Sequence, residues 1–237
     1  MTGFFADLED RVRQVGPVCV GLDPVTTDPG DALAQCRRII DATAHTAAAF
    51  KPNASFFEAL GPAGIEALIE VVAAVPEGIP VILDAKRGDI ATSAAGYARA
   101  AFGVIGAGAV TVNPYLGEDA IAPFLEWEGR GLWVLCHTSN PGADAVQGLY
   151  LESGETVAEG MARLATGWGG PDRIGLVVGA TKPEALAAIR AIAPRHWILA
   201  PGVGAQGADA ADLGAGLRVD GGGLLVTVSR SVAAAFD

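Results

Sequence analysis

Eight short runs of β-forming residues recur along the chain, at 18–22, 48–52, 80–84, 109–113, 132–136, 174–178, 197–200 and 224–228. Between them lie Ala-rich segments with helical spacing, among them 31–49, 62–75, 91–106, 117–128, 154–168 and 182–193, each long enough for a crossover helix. Strand then helix, eight times, predicts a parallel sheet closed into a (β/α)8 TIM barrel of the α/β class. The runs are apolar on both faces, as strands are when helices cover the outside and side chains fill the inside. The run at 48–52 is the least marked, because its Ala residues would equally finish the preceding helix; its polar end at Lys51 favours a strand. A doubly wound open sheet is the structural rival, but it would not gather all eight strand ends at one mouth. No long linker or low-complexity tract breaks the alternation, so the chain reads as one domain, 1–237, with residues 1–16 as an extra N-terminal helix capping the barrel base.

Of the 237 residues, 51% are hydrophobic, but they fall in short blocks. None approaches the ~20 apolar residues of a membrane span. The first ten residues carry acids where a signal peptide would carry basic residues, which points to a cytoplasmic protein. Cys19, Cys36 and Cys136 lack metal-ligand spacing, and two of them lie in strand-like runs, so buried free thiols are expected. A formal charge of −11 repels nucleic acid and anionic membranes over most of the surface, so an anionic substrate would need a local basic pocket.

Polar residues gather just after the strands: Asp23, Lys51, Asp84 with Lys86, Asn113, Thr138 with Ser139, Gly202 to Gln206, and Arg230. In a barrel these ends converge where such folds place their active sites. The chain holds 16 basic residues, of which only Lys51, Lys86 and Lys182 are lysine. Where Arg supplies the ordinary surface charge, a lysine stands out, because an ammonium shifts its pKa and delivers a proton more readily. Lys182, in TKPE at a helix start, reads as a surface residue. Asp84 and Lys86, two apart, point to one face, with Lys51 arriving from the neighbouring strand. Such charges share a pocket only if they alternate in sign, and Asp89 would extend the alternation. Read alone, the cluster also fits a structural ion network closing the barrel top.

PGVGAQG at 201–207 follows the seventh strand and Ser229-Arg230-Ser231 the eighth, where barrels commonly hold phosphate on backbone amides. Arg230 would add a bidentate charge contact and Gln206 an amide donor. Ser139-Asn140-Pro141-Gly142 reads either as a turn or as a hydroxyl facing a planar polar group on the substrate. His45, His137 and His196 form no metal-ligand pattern, and no metal is expected. Trp127, Trp133, Trp168 and Trp197 are expected to pack helices onto the barrel.

Six blocks, VGLDP at 20–24, FKPN at 50–53, DAKRGDI at 84–90, TVNPYLG at 111–117, SNPGAD at 139–144 and PGVGAQG at 201–207, make the chain resemble the orotidine 5′-phosphate decarboxylase family, in its bacterial type 2 subgroup. The resemblance runs from Val18 to Arg230 and implies the last step of pyrimidine nucleotide synthesis, from orotidine 5′-phosphate (OMP) to UMP, without metal or organic cofactor. It implies that Lys51, Asp84, Lys86 and Asp89 form the family's catalytic array, with Lys86 donating the proton. It also implies a homodimer in which Asp89 reaches the other subunit's site. Asp23 and Lys51 would bind ribose hydroxyls and Ser139 the pyrimidine amide. Gln206 and Arg230 would hold the phosphate, within a binding set that includes Pro201, Gly202, Gly204 and Ser229. The sequence departs from the family at Ser93, where Thr is usual, and at Ser229-Arg230, where many members have Gly-Arg. The first keeps a hydroxyl for a sugar contact; the second adds a side chain near the phosphate. A metal-dependent sugar-phosphate decarboxylase, a Schiff-base aldolase and a non-catalytic nucleotide-binding barrel remain the rival readings.

Overall fold

The computed structural model describes residues 3–202 and 210–236. Helix α1 (Phe4–Val15) precedes strand β1 (Val18–Leu22), followed by α2 (Pro29–Thr43), β2 (Ala49–Pro52), α3 (Ala54–Glu58), α4 (Pro62–Ala74) and β3 (Ile82–Arg87). The second half runs α5 (Ala91–Ala98), β4 (Ala109–Val112), α6 (Ala122–Leu125), β5 (Gly131–His137), α7 (Val157–Trp168), β6 (Ile174–Val178), α8 (Pro183–Ile192), β7 (Trp197–Pro201), β8 (Leu224–Val228) and α9 (Arg230–Ala233). Helix starts follow local chemistry. The Asp28 carboxylate accepts from the Asp31 amide ahead of Pro29, and Thr156 and Glu159 form a capping box at α7.

The strands lie in the order β2-β1-β8-β7-β6-β5-β4-β3, all neighbours parallel. Single bridges Phe50 to Val81 and Asn53 to Asp84 join the two edges and close the barrel. Period two along each strand then sorts the side chains into two cores. Residues such as Val20, Leu22, Phe50, Val110, Leu132 and Ile198 face the helices. Inside the barrel, every strand contributes to a second cluster, with Cys19, Ala49, Ile82, Ala109, Trp133, Val177, Leu199 and Leu225.

Helix α1 closes the base of that inner cluster, as expected, with Phe4, Phe5 and Leu8 buried. The Phe5 ring meets Trp133 edge-on at 5.1 Å between centroids. Trp133 fits because β6 carries Gly175 beside it: a Cβ there would stand 2.6 Å from the indole ring. Two of the four tryptophans therefore depart from expectation. Trp133 and Trp197 belong to the interior cluster, while Trp127 and Trp168 pack on the outer one.

Two segments differ from the helical pattern read in the sequence. After α5 the chain widens into π turns over Arg99–Val104. The stretch 117–128 is one short 3-10 turn, Glu118–Ala120, followed by the four-residue α6, because Pro123 cannot donate in a continuous helix. The third strand also extends to Arg87, so Asp84 and Lys86 lie within it rather than after it.

Candidate active site

Lys51, at the end of β2, and Asp84, in β3, are both buried and meet at 2.9 Å between Nζ and Oδ2. The other carboxylate oxygen takes Lys86 Nζ at 2.6 Å. Two ammonium groups thus share one carboxylate, and their exposure separates them: the Lys51 side chain is 7% exposed and that of Lys86 48%. Burial works against the Asp84 charge, but Lys51 and Lys86 outweigh it and hold the carboxyl well below its ordinary range. Burial likewise works against Lys51, yet Asp84 and then Asp23 raise its pKa above the ordinary lysine value. The three charges line a cavity of about 300 Å³ whose wall also includes Ser139, Leu199 and Pro201.

Lys86 and Asp84 converge on this cavity through an irregular strand. Leu83 pairs with Val110 and Arg87 with Val112, so β3 takes four steps where β4 takes two. Within the bulge Lys86 has φ of 47°, a left-handed conformation that costs an L-residue about 1–2 kcal/mol. Thr111, two residues beyond the inward-facing Ala109 of β4, sits against the bulge. Its hydroxyl accepts from the Ala85 amide at 3.0 Å and the Lys86 amide at 2.9 Å, and donates to Asp84 Oδ1 at 2.9 Å. In the sequence Thr111 appears only as the first residue of the TVNPYLG block, with no role of its own. The available signal was a polar residue at an inward position of an otherwise apolar strand.

Asp23 follows β1. Its Oδ2 accepts from the Ser229 hydroxyl at 2.5 Å, while Oδ1 is buried and meets no hydrogen-bond partner among the described residues. Ser229 reaches Asp23 across Gly21, where a Cβ would come within 2.6 Å of the serine's own. The added side chain at 229 is therefore committed to Asp23.

Ser139 reaches the cavity from the loop after β5. That loop is tied by Gln147, whose Oε1 accepts from the Thr138 amide at 2.7 Å and whose Nε2 donates to Thr138 Oγ1 at 2.9 Å. A second tie joins it to the start of α8: Asp144 takes His137 Nε2 at 3.2 Å and Lys182 Nζ at 2.6 Å. Gln147 carried no sequence signal, being one polar residue in a polar loop.

Asp89, Ser93 and Arg230, also read as site candidates, are not among the residues that line this cavity. Asp89 is half-buried after β3, and its carboxylate accepts from the Ile90 amide at 2.8 Å. Ser93 is exposed on α5, and Arg230 is exposed at the start of α9. Pro201 ends β7 and Gly202 follows it with φ of 109°. Gly204 and Gln206 lie outside the described residues. Arg87, next to the catalytic candidates in sequence, pairs instead with Glu58 and lies 5.1 Å above the Tyr97 ring. Among the described residues no group of three or more His, Cys, Asp or Glu is placed to hold a metal ion. All three cysteines are free and buried, and burial pushes Cys19 and Cys36 up to about 12. No helix among the described residues is long and apolar enough to cross a membrane.

The model of the orotidine 5′-phosphate decarboxylase / HUMPS family matches residues 16–237. The chain is 46% identical over 240 residues to orotidine 5′-phosphate decarboxylase of Roseiflexus castenholzii, covering 97% of this chain and 88% of that one. Among solved structures, OMP decarboxylase of Leishmania donovani superposes with a TM-score of 0.92 at 46% identity, over 98% of this chain and 91% of that one. UMP synthase of the same organism superposes with a TM-score of 0.95 at 47% identity, but the chain spans only 53% of its length.

Proposed function

The chain belongs to the orotidine 5′-phosphate decarboxylase / HUMPS family and is a decarboxylase of pyrimidine synthesis, and from that premise we propose that it converts OMP to UMP and CO2 with Lys86 as the proton donor. The observation that carries the proposal is the Lys51–Asp84–Lys86 cluster in the barrel mouth, with Lys51 buried and Lys86 turned to the cavity.

Cleavage of the bond between C6 and its carboxylate leaves the electron pair on C6 of the pyrimidine, in an orbital with no conjugated sink. The barrier is therefore high, and electrostatic stabilisation must come from the site. The Lys86 ammonium supplies it as charge develops, then passes one N–H proton to C6 and is reprotonated from solvent. An Arg would not serve as well, because guanidinium gives up a proton far less readily. Asp84 holds Lys86 by its Oδ1, and its charge would crowd the departing carboxylate. Positioning is its main role; ground-state repulsion of the departing carboxylate carries less weight.

The remaining residues bind the nucleotide. The partnerless Oδ1 of Asp23 is suited to accept from a ribose hydroxyl, with Lys51 nearby. Ser139 would contact the pyrimidine amide. Arg230 and Gln206, with Pro201, Gly202, Gly204 and Ser229, would hold the phosphate, whose binding energy serves catalysis by ordering the site around the reacting carbon. Asp89 accepts from the Ile90 amide and does not line its own chain's cavity, which supports a homodimer in which Asp89 serves the neighbouring site; Ser93 would keep a sugar contact. Neither metal nor organic cofactor enters these steps.

The test is incubation with OMP while its ultraviolet absorbance is followed. Loss of the OMP absorbance with formation of UMP, unaffected by EDTA, is expected. No turnover by folded protein would overturn the proposal, and abolition by EDTA would favour the metal-dependent sugar-phosphate reaction.

A further inference from the structure

Resting on the decarboxylase reading, we propose that Thr111 is a positioning residue for the reaction: one hydroxyl fixes both the backbone that carries Lys86 and the carboxylate that holds its ammonium. A hydroxyl has one proton to give and two lone pairs to offer. All three are used here, towards Asp84 Oδ1, the Ala85 amide and the Lys86 amide, at 2.9–3.0 Å. Thr111 is 2% exposed, so water does not replace those bonds if the hydroxyl is removed.

The bulge explains why such a residue is needed. In a regular ladder the amides of β3 would bond to carbonyls of β4. The two extra residues of β3 take the Ala85 and Lys86 amides out of that register, and Thr111 accepts from both. A left-handed conformation at a lysine persists only where its surroundings over-determine it, and the paired acceptance is that constraint. The same hydroxyl donates to the carboxylate oxygen that takes Lys86 Nζ at 2.6 Å. Backbone and side chain of Lys86 are thus referred to one atom. β-Branching at Thr111 also narrows the side-chain rotamers, which keeps the hydroxyl aimed. Its hydrogen-bonding capacity is committed within the protein, so Thr111 acts through Asp84 and Lys86. Its effect belongs on kcat, since the phosphate and ribose are held elsewhere.

The test pairs steady-state kinetics on OMP with amide hydrogen exchange. Thr111→Val, of the same shape without the hydroxyl, is expected to lower kcat about ten- to a hundredfold, with KM within about threefold of wild type. Thr111→Ser, which restores the hydroxyl, is expected to return kcat to within about threefold of wild type. A valine variant that keeps kcat within about twofold, or that loses KM alone, would overturn the proposal, as would a serine variant as impaired as the valine. In the wild type, the Ala85 and Lys86 amides should exchange slowly. Exchange as fast as that of open loop amides would overturn the proposal even if the valine variant fails to fold. If wild-type protein does not turn over OMP, the decarboxylase reading falls, while amide exchange still decides the role of Thr111.

Discussion

Lys51 and Asp84 are each costly to bury alone and are stabilised together. Asp84→Asn would leave the Lys51 ammonium 7% exposed without a full counter-charge, at an expected cost of about 3–5 kcal/mol in urea unfolding at pH 7. The sign of the pH dependence follows from the shifts. Asp84 lies below its unfolded value, so its contribution is complete above about pH 4 and is lost as pH falls from there. Lys51 lies above its unfolded value, so its contribution is complete below about pH 10 and is lost as pH rises through its folded value. Stability of the wild type measured against pH should therefore fall at both ends. The asparagine variant should have a flatter acid limb, and an unchanged acid limb would show that Asp84 is not the group responsible.

At the scale of elements, the eight strands and the burial of α1 were legible because hydrophobic blocks and Gly or Pro breaks mark them directly. The meeting of Lys51, Asp84 and Lys86 was legible because period two and strand adjacency bring them together. The bulge in β3 was not, since no Gly or Pro marks it and what shapes it is Thr111 on another strand. Nor was the break-up of 117–128, where Ala and Leu suggest a helix and Pro123 prevents a continuous one. Arg190 of α8 is a comparable case: it is buried, donating to the carbonyls of Ala193, His196, Gly216 and Gly223, and burial brings its pKa down to about 10. Its partners are backbone oxygens in loops before β7 and β8, which side-chain patterns do not disclose. The fit of Trp133 against Gly175 is an element-scale contact that can be tested. Gly175→Ala places a methyl 2.6 Å from the indole. It is expected to destabilise the barrel by about 1–3 kcal/mol in urea unfolding, with kcat at saturating OMP little changed. A stability equal to wild type would show that the lower core has slack.

For the whole molecule, the placement of Asp89 sets a test of assembly. Lys86→Ala and Asp89→Asn subunits, each expected to be nearly inactive, would be unfolded together and refolded as mixed dimers. If Asp89 completes the partner's site, each mixed dimer carries one site with both lesions and one with neither, and random pairing restores about a quarter of wild-type sites. No recovery in a sample shown to contain mixed dimers would place Asp89 in its own subunit's chemistry or outside the chemistry altogether.

Helix α1 gives the barrel a floor: among the described residues Phe4, Phe5 and Trp133 fill the base, which leaves the mouth for traffic. A nucleotide that enters there must also back out there. UMP differs from OMP only by the carboxylate it has lost, so the spent nucleotide stands in the doorway of the next. Substrate and product must queue for one threshold, and turnover includes the time taken to clear it.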